Sequence, residues 1–277
     1  MLRLIALDLD GTLLHTDKGL TDRTRNILTA YMRQGTHIVV ASGRSYASLP
    51  HDVMAVPGIE YVITSNGVAV CRKSTGKKLF HTPLQPDCVR QLLQLLAETD
   101  AVFELFVDGV PYANLDYVQN PTKYGASSHA IPYIQRTRKP VSDLTAFAQE
   151  HIQELDCIDL ITASPEEKQQ LLQLLRDIPG LYITSSVPYL VEISDAAAGK
   201  GAAVRKLAAY LGIMPEEIAA FGNAENDMDM MAFAGIGVAV ANSPQHVRAA
   251  ADYVTLSNDE DGVAVFLETL LYGKPLV

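Results

Sequence analysis

Short apolar runs alternate with amphipathic segments over the first third of the chain. The runs 3–9 ("RLIALDL"), 36–42 ("THIVVAS") and 61–67 ("YVITSNG") are each typical of a buried strand. Between the first two, residues 20–35 carry apolar side chains at helical spacing, and Thr21 stands at the N-cap position. Buried strands that alternate with helices are typical of a parallel sheet, so the pattern predicts an α/β fold.

The pattern changes after residue 67. Residues 68–82 alternate in the manner of a β-hairpin that turns at Ser74-Thr75-Gly76. Residues 83–186 then show helices and strands in a different rhythm, after which the strand–helix alternation resumes. We therefore expect a core domain formed by residues 1–82 and 187–277, with a second α/β domain, residues 83–186, inserted into it.

Composition limits the classes of protein that fit this pattern. Of the 277 residues, 48% are hydrophobic and 19% are charged, which favours a packed core over disorder. The net charge of −10 and the lack of a basic stripe argue against nucleic acid or an anionic membrane as the partner. We interpret the densest basic run, residues 135–140 ("QRTRKP"), as a solvated loop.

Cysteine spacing and the N-terminal segment bear on the compartment. The three cysteines have neither metal-binding nor paired spacing, so we expect reduced side chains. No apolar run reaches the ~18 residues that span a bilayer, and the N-terminus becomes acidic at Asp8, unlike a signal peptide. The expected location is the cytoplasm.

Polar side chains follow the predicted core strands at the place where ligands bind in parallel sheets. They are Asp8 and Asp10, Ser42-Gly43-Arg44, Ser65-Asn66-Gly67, Lys200, and the stretch 223–229 ("NAENDMD"). Phosphoryl transfer needs a nucleophile, a proton donor, a fixed cation and oxygen ligands for Mg²⁺, and this set supplies each of them.

Each group also has a purely structural interpretation. The alternatives are a helix-capping pair for Asp8 and Asp10, a loop hydroxyl for Ser42, a surface charge for Lys200, a hairpin turn for Asn66-Gly67, and the solvated first turn of a helix for the acids at 223–229.

Four segments, in chain order, resemble the motifs of the haloacid dehalogenase-like (HAD) phosphatases. They are "DLDGTLL" at 8–14, "ASGR" at 41–44, "GKG" at 199–201 and "FGNAEND" at 221–227. The "SNG" at 65–67 and the closing "ADYVTLSNDEDGVAVFL" at 251–267 resemble the Cof-type branch, subfamily IIB. The resemblance implies a Rossmann-like parallel sheet with an inserted α/β (C2-type) cap domain that selects the substrate.

The resemblance also implies a role for each matching residue. Asp8 would be the nucleophile that forms an aspartyl-phosphate, and Asp10 the general acid and base. The phosphate or substrate would be bound by Ser42, Gly43, Arg44, Asn66 and Lys200. Mg²⁺ would be held by Asp8, Asp10, Asn223, Asn226 and Asp227, the last two directly or through water.

One position departs from the family's pattern. The fourth motif normally begins Gly-Asp, and that aspartate is a direct Mg²⁺ ligand, whereas this chain has Asn223, whose amide oxygen brings no charge. The leading hypothesis is a Mg²⁺-dependent phosphatase of small phosphorylated metabolites such as sugar phosphates. Two others stay open: a phosphomutase with the same core, and a non-catalytic protein that binds a phosphometabolite, which Asn223 favours.

Overall fold

The computed structural model describes residues 2–273 except residues 18, 100, 125, 127 and 129. In chain order its strands are β1 (Leu4–Leu7), β2 (His37–Ala41), β3 (Tyr61–Thr64), β4 (Ala69–Arg72), β5 (Lys78–His81), β6 (Val102–Val107), β7 (Val110–Asn114), β8 (Lys139–Val141), β9 (Leu155–Ile161), β10 (Leu181–Thr184), β11 (Leu190–Asp195), β12 (Ile218–Gly222), β13 (Ile236–Val240) and β14 (Tyr253–Thr255).

Helices connect most of these strands. The α-helices are α1 (Asp22–Arg33), α2 (His51–Met54), α3 (Pro86–Ala97), α4 (Leu115–Gln119), α5 (Ile131–Thr137), α6 (Leu144–Glu150), α7 (Pro165–Leu175), α8 (Lys200–Leu211), α9 (Met228–Phe233), α10 (Gln245–Ala250) and α11 (Gly262–Tyr272). Short 3₁₀ helices cover Tyr46–Ser48, Ser65–Gly67, Pro121–Tyr124, Pro215–Glu217, Glu225–Asp227 and Asn258–Glu260.

The first compact unit comprises Met1–Arg44, Leu49–His81 and Gly199–Val277. Its sheet has the strand order β14-β13-β12-β1-β2-β3-β4-β5. Neighbouring strands pair in parallel from β14 through β3, and the pairs β3–β4 and β4–β5 are antiparallel. The parallel sheet confirms the α/β fold predicted from the alternation of strands and helices.

Burial on both faces explains why the central strands are apolar throughout. All four residues of β1 are buried. Leu4 and Ala6 belong to one core cluster with Val204 of α8. Phe221 of β12 meets Phe266 of α11 edge to face, with ring centroids 5.6 Å apart. A strand covered on both sides has no solvent face, so its sequence is a continuous apolar run.

The second compact unit comprises Ser45–Ser48 and Thr82–Ala198. Its sheet has the order β10-β11-β9-β6-β7-β8, in which the β7–β8 pair is parallel and the other pairs are antiparallel. Leu92 of α3, Leu144 of α6 and Leu171 of α7 pack with Leu105 and Ile158 of the sheet. Helices therefore cover one face of this sheet.

The border of the second unit differs from the expected one. The sequence pattern predicts residues 187–198 in the core domain, whereas β11 pairs antiparallel with both β9 and β10 in the second sheet. The apolar run "LVEIS" (190–194) predicts a strand without identifying its neighbours. Pairing partners are chosen by contacts far along the chain, so the local pattern could not place this strand.

Arg138 corrects our interpretation of the basic run 135–140 as a solvated loop. Its Nε donates to Glu104 Oε1 at 2.9 Å and its Nη2 to Glu104 Oε2 at 2.7 Å, and the two side chains are only 10% and 2% exposed. The planar guanidinium matches the carboxylate with two hydrogen bonds, which offsets the cost of burying both charges. The basic run therefore supplies a buried ion pair of the second unit.

Two further features bear on the expectations from composition. Cys71, Cys88 and Cys157 are buried, and no disulfide bond joins cysteines in the part of the chain that the structure describes. Among the helices of the described residues, none combines the length and the apolar character needed to cross a bilayer.

Candidate active site

The carboxyl ends of neighbouring strands bring several predicted site residues to one edge of the first sheet. Strand β1 lies between β12 and β2, and the three strands run parallel. Asp8 directly follows β1, Ser42 follows β2 and Asn223 follows β12. Lys200 joins them as the first residue of α8.

Lys200 lies between two buried carboxylates. Its Nζ donates to Asp8 Oδ1 at 2.8 Å and to Asp227 Oδ1 at 2.6 Å, and Lys200 is 0% exposed. The other oxygen of Asp227 accepts hydrogen bonds from the backbone N–H groups of Asn223 at 2.9 Å and Ala224 at 3.0 Å. Asp227 thus holds both the ammonium group and the loop that follows β12.

The buried charges shift the acidity of both partners. Burial, followed by the Asp227 carboxylate, raises the pKa of Asp8 to about 7, while Lys200 acts in the opposite direction. Burial alone would lower the pKa of Lys200, but Asp227 and Asp8 outweigh burial and raise it. One ammonium between two carboxylates leaves a negative charge uncompensated when both acids are ionised, so the site favours an additional cation.

Asp10 is held by Arg44. The Nε of Arg44 donates to Asp10 Oδ2 at 2.7 Å, and its Nη2 donates to Asp10 Oδ1 at 2.8 Å. The Arg44 side chain is mostly buried, whereas that of Asp10 is about one-third exposed. A two-bond contact of this kind fixes the plane of the carboxylate, so Arg44 sets the direction in which Asp10 presents its oxygens.

Ser42 is buried at the end of β2. Its Oγ accepts a hydrogen bond from the backbone N–H of Arg44 at 3.1 Å, across Gly43. Its carbonyl oxygen accepts from the backbone N–H of Asn66 at 3.1 Å. Within the described part of the chain the Ser42 O–H group donates to no protein acceptor, which leaves its hydrogen for a ligand.

Asn66 lies in the turn between the antiparallel strands β3 and β4, in agreement with the hairpin-turn interpretation of Asn66-Gly67. It has a left-handed backbone (φ 51°), and its Oδ1 accepts from Asn226 Nδ2 at 2.9 Å. The carbonyl of Asn66 accepts from the N–H of Gly199 at 3.1 Å. A Cβ on Gly67 (φ 93°) would lie 2.1 Å from the Gly199 carbonyl oxygen, so glycine is required where this turn meets the start of α8.

The side-chain amide of Asn223 lies against Asp8 and Asp10. One of its two polar atoms is 3.2 Å from Asp8 Oδ2, 3.2 Å from the Asp10 carbonyl oxygen and 3.2 Å from Thr12 Oγ1. With the amide oxygen in that place, Asp8, Asp10 and Asn223 present three oxygens to one another without a hydrogen between them. The two 3.2 Å distances from the Asn223 atom to Asp8 Oδ2 and to the Asp10 carbonyl oxygen are close to the ~2.9 Å between adjacent ligands of an octahedral Mg²⁺ with bonds of ~2.1 Å, so these oxygen donors fit this cation.

The other predicted metal residues lie against different partners. Asp227 contacts Lys200 and backbone amides, and Asn226 contacts Asn66. No three His, Cys, Asp or Glu side chains among the described residues form a metal-binding group. A cation at this edge would therefore depend on one carboxylate, one backbone carbonyl and the amide of Asn223.

Two residues of the site receive no individual role from the sequence. Thr12 places its hydroxyl 3.2 Å from the Asn223 amide. Asp229 Oδ2 accepts from the backbone N–H of Gly201 at 2.9 Å and so caps the first turn of α8. The signal for Asp229 was the density of acids at 223–229, but spacing alone does not show which acid meets the lysine and which meets the helix.

The sequence and the fold are similar to those of known phosphatases. Residues 5–267 match the family described as haloacid dehalogenase-like hydrolase. Phosphatase YwpJ of Bacillus subtilis (strain 168) is 30% identical over 290 residues, covering 98% of this chain and 100% of that protein. The 5-amino-6-(5-phospho-D-ribitylamino)uracil phosphatase YitU of the same organism is 30% identical over 274 residues, covering 96% of each. A solved haloacid dehalogenase-like hydrolase from B. subtilis has a TM-score of 0.82 at 26% identity, covering 97% of this chain and 100% of that one.

Proposed function

The chain belongs to the haloacid dehalogenase-like hydrolases and is a phosphatase of that family, and from this we propose that it hydrolyses small phosphorylated metabolites through an aspartyl-phosphate, with Mg²⁺ as cofactor. The observation that carries the proposal is the environment of Asp8. One oxygen of this buried carboxylate accepts from Lys200 at 2.8 Å, and the other lies 3.2 Å from the Asn223 amide. A carboxylate oriented from both sides is prepared to attack.

In the first step, an oxygen of Asp8 forms a bond to phosphorus while the bond from phosphorus to the leaving oxygen breaks. Asp10, protonated on an oxygen that has left Arg44, donates its proton to that leaving oxygen, so an alcohol departs. In the second step, Asp10 takes a proton from water as the water oxygen attacks phosphorus. The bond between phosphorus and Asp8 then breaks, free phosphate leaves, and both carboxyl groups return to their starting states.

Positive charge and hydrogen-bond donors surround the reacting group in this scheme. Lys200 offsets the negative charge of the phosphate and of Asp8, and Ser42 with the backbone at Gly43 donates hydrogen bonds to phosphate oxygens. Asp8 Oδ2, the Asp10 carbonyl and the Asn223 amide oxygen would hold Mg²⁺, which when bound offsets repulsion between the phosphate and the carboxylates. We assign Asp227 a supporting role, because it contacts both Lys200 and the Asn223 loop.

Asn226 supports the substrate side of the site rather than the cation in this proposal, because its Nδ2 donates to Asn66 Oδ1 at 2.9 Å. Asn66 in turn binds the segments at Ser42 and Gly199 through its backbone. Asn66 therefore fixes the segment at Ser42 relative to the segment at Gly199, whether or not its own side chain contacts the substrate.

The names of similar proteins support a choice of substrate class. The name of YitU describes a phosphatase of a phosphorylated ribityl compound, in which the phosphate is carried by a sugar alcohol. We therefore propose sugar phosphates and sugar-alcohol phosphates as substrates of this chain.

A phosphate-release screen tests the proposed function. The full chain is incubated with sugar phosphates, sugar-alcohol phosphates and nucleotides, each with Mg²⁺ and with a chelator. Release from at least one sugar or sugar-alcohol phosphate that disappears in chelator is the expected result. If no ester releases phosphate in Mg²⁺, the non-catalytic hypothesis replaces the proposal; an isomerised sugar phosphate without net release favours the phosphomutase.

The Arg44–Asp10 contact gives a prediction for turnover. Arg44→Lys keeps the charge but loses the two-bond geometry, and Arg44→Ala loses both. In either variant the ionised Asp10 is no longer oriented toward the water that it deprotonates in the second step. We expect kcat to fall by roughly 10–100-fold, with the larger loss in the alanine variant. Steady-state kinetics on an alkyl phosphate measure this effect.

The matched control is Arg72→Ala, because Arg72 faces Glu60 at 3.7 Å in a half-exposed pair. Its kcat should stay close to that of the wild type. Equal kcat values for Arg44→Ala and Arg72→Ala would remove Arg44 from the orientation of Asp10.

A further inference from the structure

The side-chain amide of Asn223 is the one group of the proposed cation site that can either accept or donate hydrogen bonds. The Asp10 carbonyl oxygen can only accept hydrogen bonds, and the same holds for Asp8 Oδ2 when Asp8 is ionised. The aspartate that the family normally has at this position would also only accept. Which end of the amide faces Asp8 therefore matters for both the metal-free and the metal-bound protein.

With Nδ2 turned toward Asp8, the NH₂ group is 3.2 Å from each of three acceptors: Asp8 Oδ2, the Asp10 carbonyl oxygen and Thr12 Oγ1. The first two are the oxygens that a cation would bind. In this orientation the amide satisfies them without a metal ion, at the long end of the hydrogen-bond range.

With Oδ1 turned toward Asp8, the same place holds an acceptor. Thr12 Oγ1 then donates to Asn223 Oδ1 at 3.2 Å. The oxygens of Asp8, Asp10 and Asn223 now face one another, which is unfavourable unless a cation lies between them. This orientation is the one that suits the metal-bound protein.

Exchanging the two orientations needs little space, but the far end of the amide faces only hydrogen-bond donors, so the orientation with Oδ1 toward Asp8 is unfavourable at both ends without a cation. An amide oxygen and an amide NH₂ group have nearly the same size, so a half-turn about the last side-chain bond preserves the shape of the side chain. The atom that points away from Asp8 packs over Gly11, where a Cβ would lie 2.7 Å from Asn223 Nδ2. Glycine at this position leaves the room that either end of the amide needs.

We propose that Asn223 turns its amide when Mg²⁺ binds: the NH₂ group ties Asp8 to the Asp10 carbonyl in the metal-free protein, and the oxygen becomes a ligand in the loaded protein. The proposal rests on the proposed function only for the identity of the cation. Asn223 acts here as a positioning residue that keeps the site assembled between metal-binding events.

The rotation of the Asn223 amide lowers the affinity of the site for Mg²⁺. Mg²⁺ must replace the hydrogen bonds from Asn223, one of them to a carboxylate, before it can use the amide oxygen. From the usual strength of a charge-assisted hydrogen bond, we expect Mg²⁺ to bind roughly tenfold or more weakly than in Asn223→Asp. That variant has no donor to displace and adds a negative charge to the site.

Thermal unfolding of the full chain tests the metal-free half of the proposal. In chelator, Asn223→Ala should have a Tm lower than that of the wild type by about 2–4 °C, because Asp8 Oδ2 loses its hydrogen bond from Asn223 while Lys200 still binds Oδ1. Asn223→Asp should unfold at a lower temperature still, because it places a second carboxylate beside Asp8. Asn26→Asp, at an exposed position of α1, is the matched control and should keep the wild-type Tm. A wild-type Tm for Asn223→Ala in chelator would overturn the proposal.

Magnesium titrations of the same proteins test the metal-bound half. Asn223→Asp should reach its half-maximal increase in Tm at a Mg²⁺ concentration at least about tenfold below that of the wild type. If it needs as much Mg²⁺ as the wild type, or more, the proposed displacement of hydrogen bonds is wrong.

The side-chain amide resonances of the wild-type protein report the turn directly. The pair absent from Asn223→Ala identifies Asn223. In chelator its protons should exchange slowly with solvent, and Mg²⁺ should shift them and speed their exchange. If the amide resonances of Asn223 stay unchanged while Mg²⁺ raises the Tm, the proposed rotation of the amide is wrong.

None of these measurements uses phosphate release. The Tm and resonance measurements can give the expected results while no ester in the screen releases phosphate. In that case the rotation of the Asn223 amide is supported and the proposed phosphatase substrates are wrong. If Mg²⁺ changes neither Tm nor resonances in any variant, both the turn and the proposed cofactor are wrong.

Discussion

The Asp8→Asn variant is expected to release no phosphate above background from any ester that the wild-type protein hydrolyses. The asparagine side chain has nearly the same size, but its neutral amide cannot attack phosphorus. Removal of a covalent nucleophile lowers kcat by on the order of 10⁶-fold in enzymes whose catalytic residues act as a unit. Initial rates in Mg²⁺ measure the effect. Asp177→Asn, at an exposed position of the second unit, makes the same chemical change elsewhere and should leave the rate unaltered.

The same variant should remain folded and should change how stability depends on pH. The pKa of Asp8 is raised from 3.8 to about 7 in the folded protein. Between these pH values the folded protein binds more protons at Asp8 than the unfolded chain does, so this group's contribution to stability falls as the pH rises. Asp8→Asn lacks this titration.

The quantity to measure is the difference in the free energy of unfolding between Asp8→Asn and the wild type, in chelator. It should increase in favour of the variant from about pH 4 to about pH 7 and then level off. A difference that is constant over this range would show that Asp8 titrates normally. Phosphate release by the variant at an undiminished rate would remove the covalent mechanism altogether.

The second large effect is expected for Asp10→Asn, which should lower kcat on an alkyl phosphate by roughly 10²–10⁴-fold. An alkoxide is a poor leaving group, so the first step needs the proton of Asp10. The second step also needs Asp10, as the base that takes a proton from water. An aryl phosphate with an acidic phenol leaves without protonation, so only its second step should be slow.

The expected signature on the aryl ester is a rapid release of about one phenol per protein followed by slow turnover, because the aspartyl-phosphate accumulates. The Mg²⁺ requirement should not change, because the backbone carbonyl at position 10 is kept. Arg44→Ala, which leaves the acid in place without its partner, is the comparison variant. A loss of less than tenfold on the alkyl phosphate would exclude Asp10 as the proton donor.

Topology accounts for the part of the structure that the sequence could predict. Strands that are buried on both faces are recognisable as continuous apolar runs, and parallel strands end at one edge of their sheet. The order of the strands alone therefore predicts that the groups after β1, β2 and β12 lie near one another. The hairpin at β4 and β5 was likewise predictable, because alternation and a Ser-Thr-Gly turn are local signals.

Contacts between distant side chains were not predictable in the same way. The pairing of Arg44 with Asp10 depends on the exact direction of two loops, and the burial of Arg138 depends on Glu104, which is 34 residues away. Strand β11 looks the same in sequence whichever sheet it joins. In each case the deciding interaction is non-local, so neither spacing nor composition contains it.

The position of β1 in its sheet has a consequence for biosynthesis. Leu4 of β1 pairs with Ile218 of β12, so one edge of β1 has no partner until the ribosome has made more than two hundred further residues. At a synthesis rate of roughly 5–20 residues per second, that interval lasts roughly 10–40 s. An apolar strand with an open edge can pair with another chain during this time. Chains that stop before β12 should therefore aggregate, and the cell must shield each nascent N-terminal half-sheet until its last strands arrive.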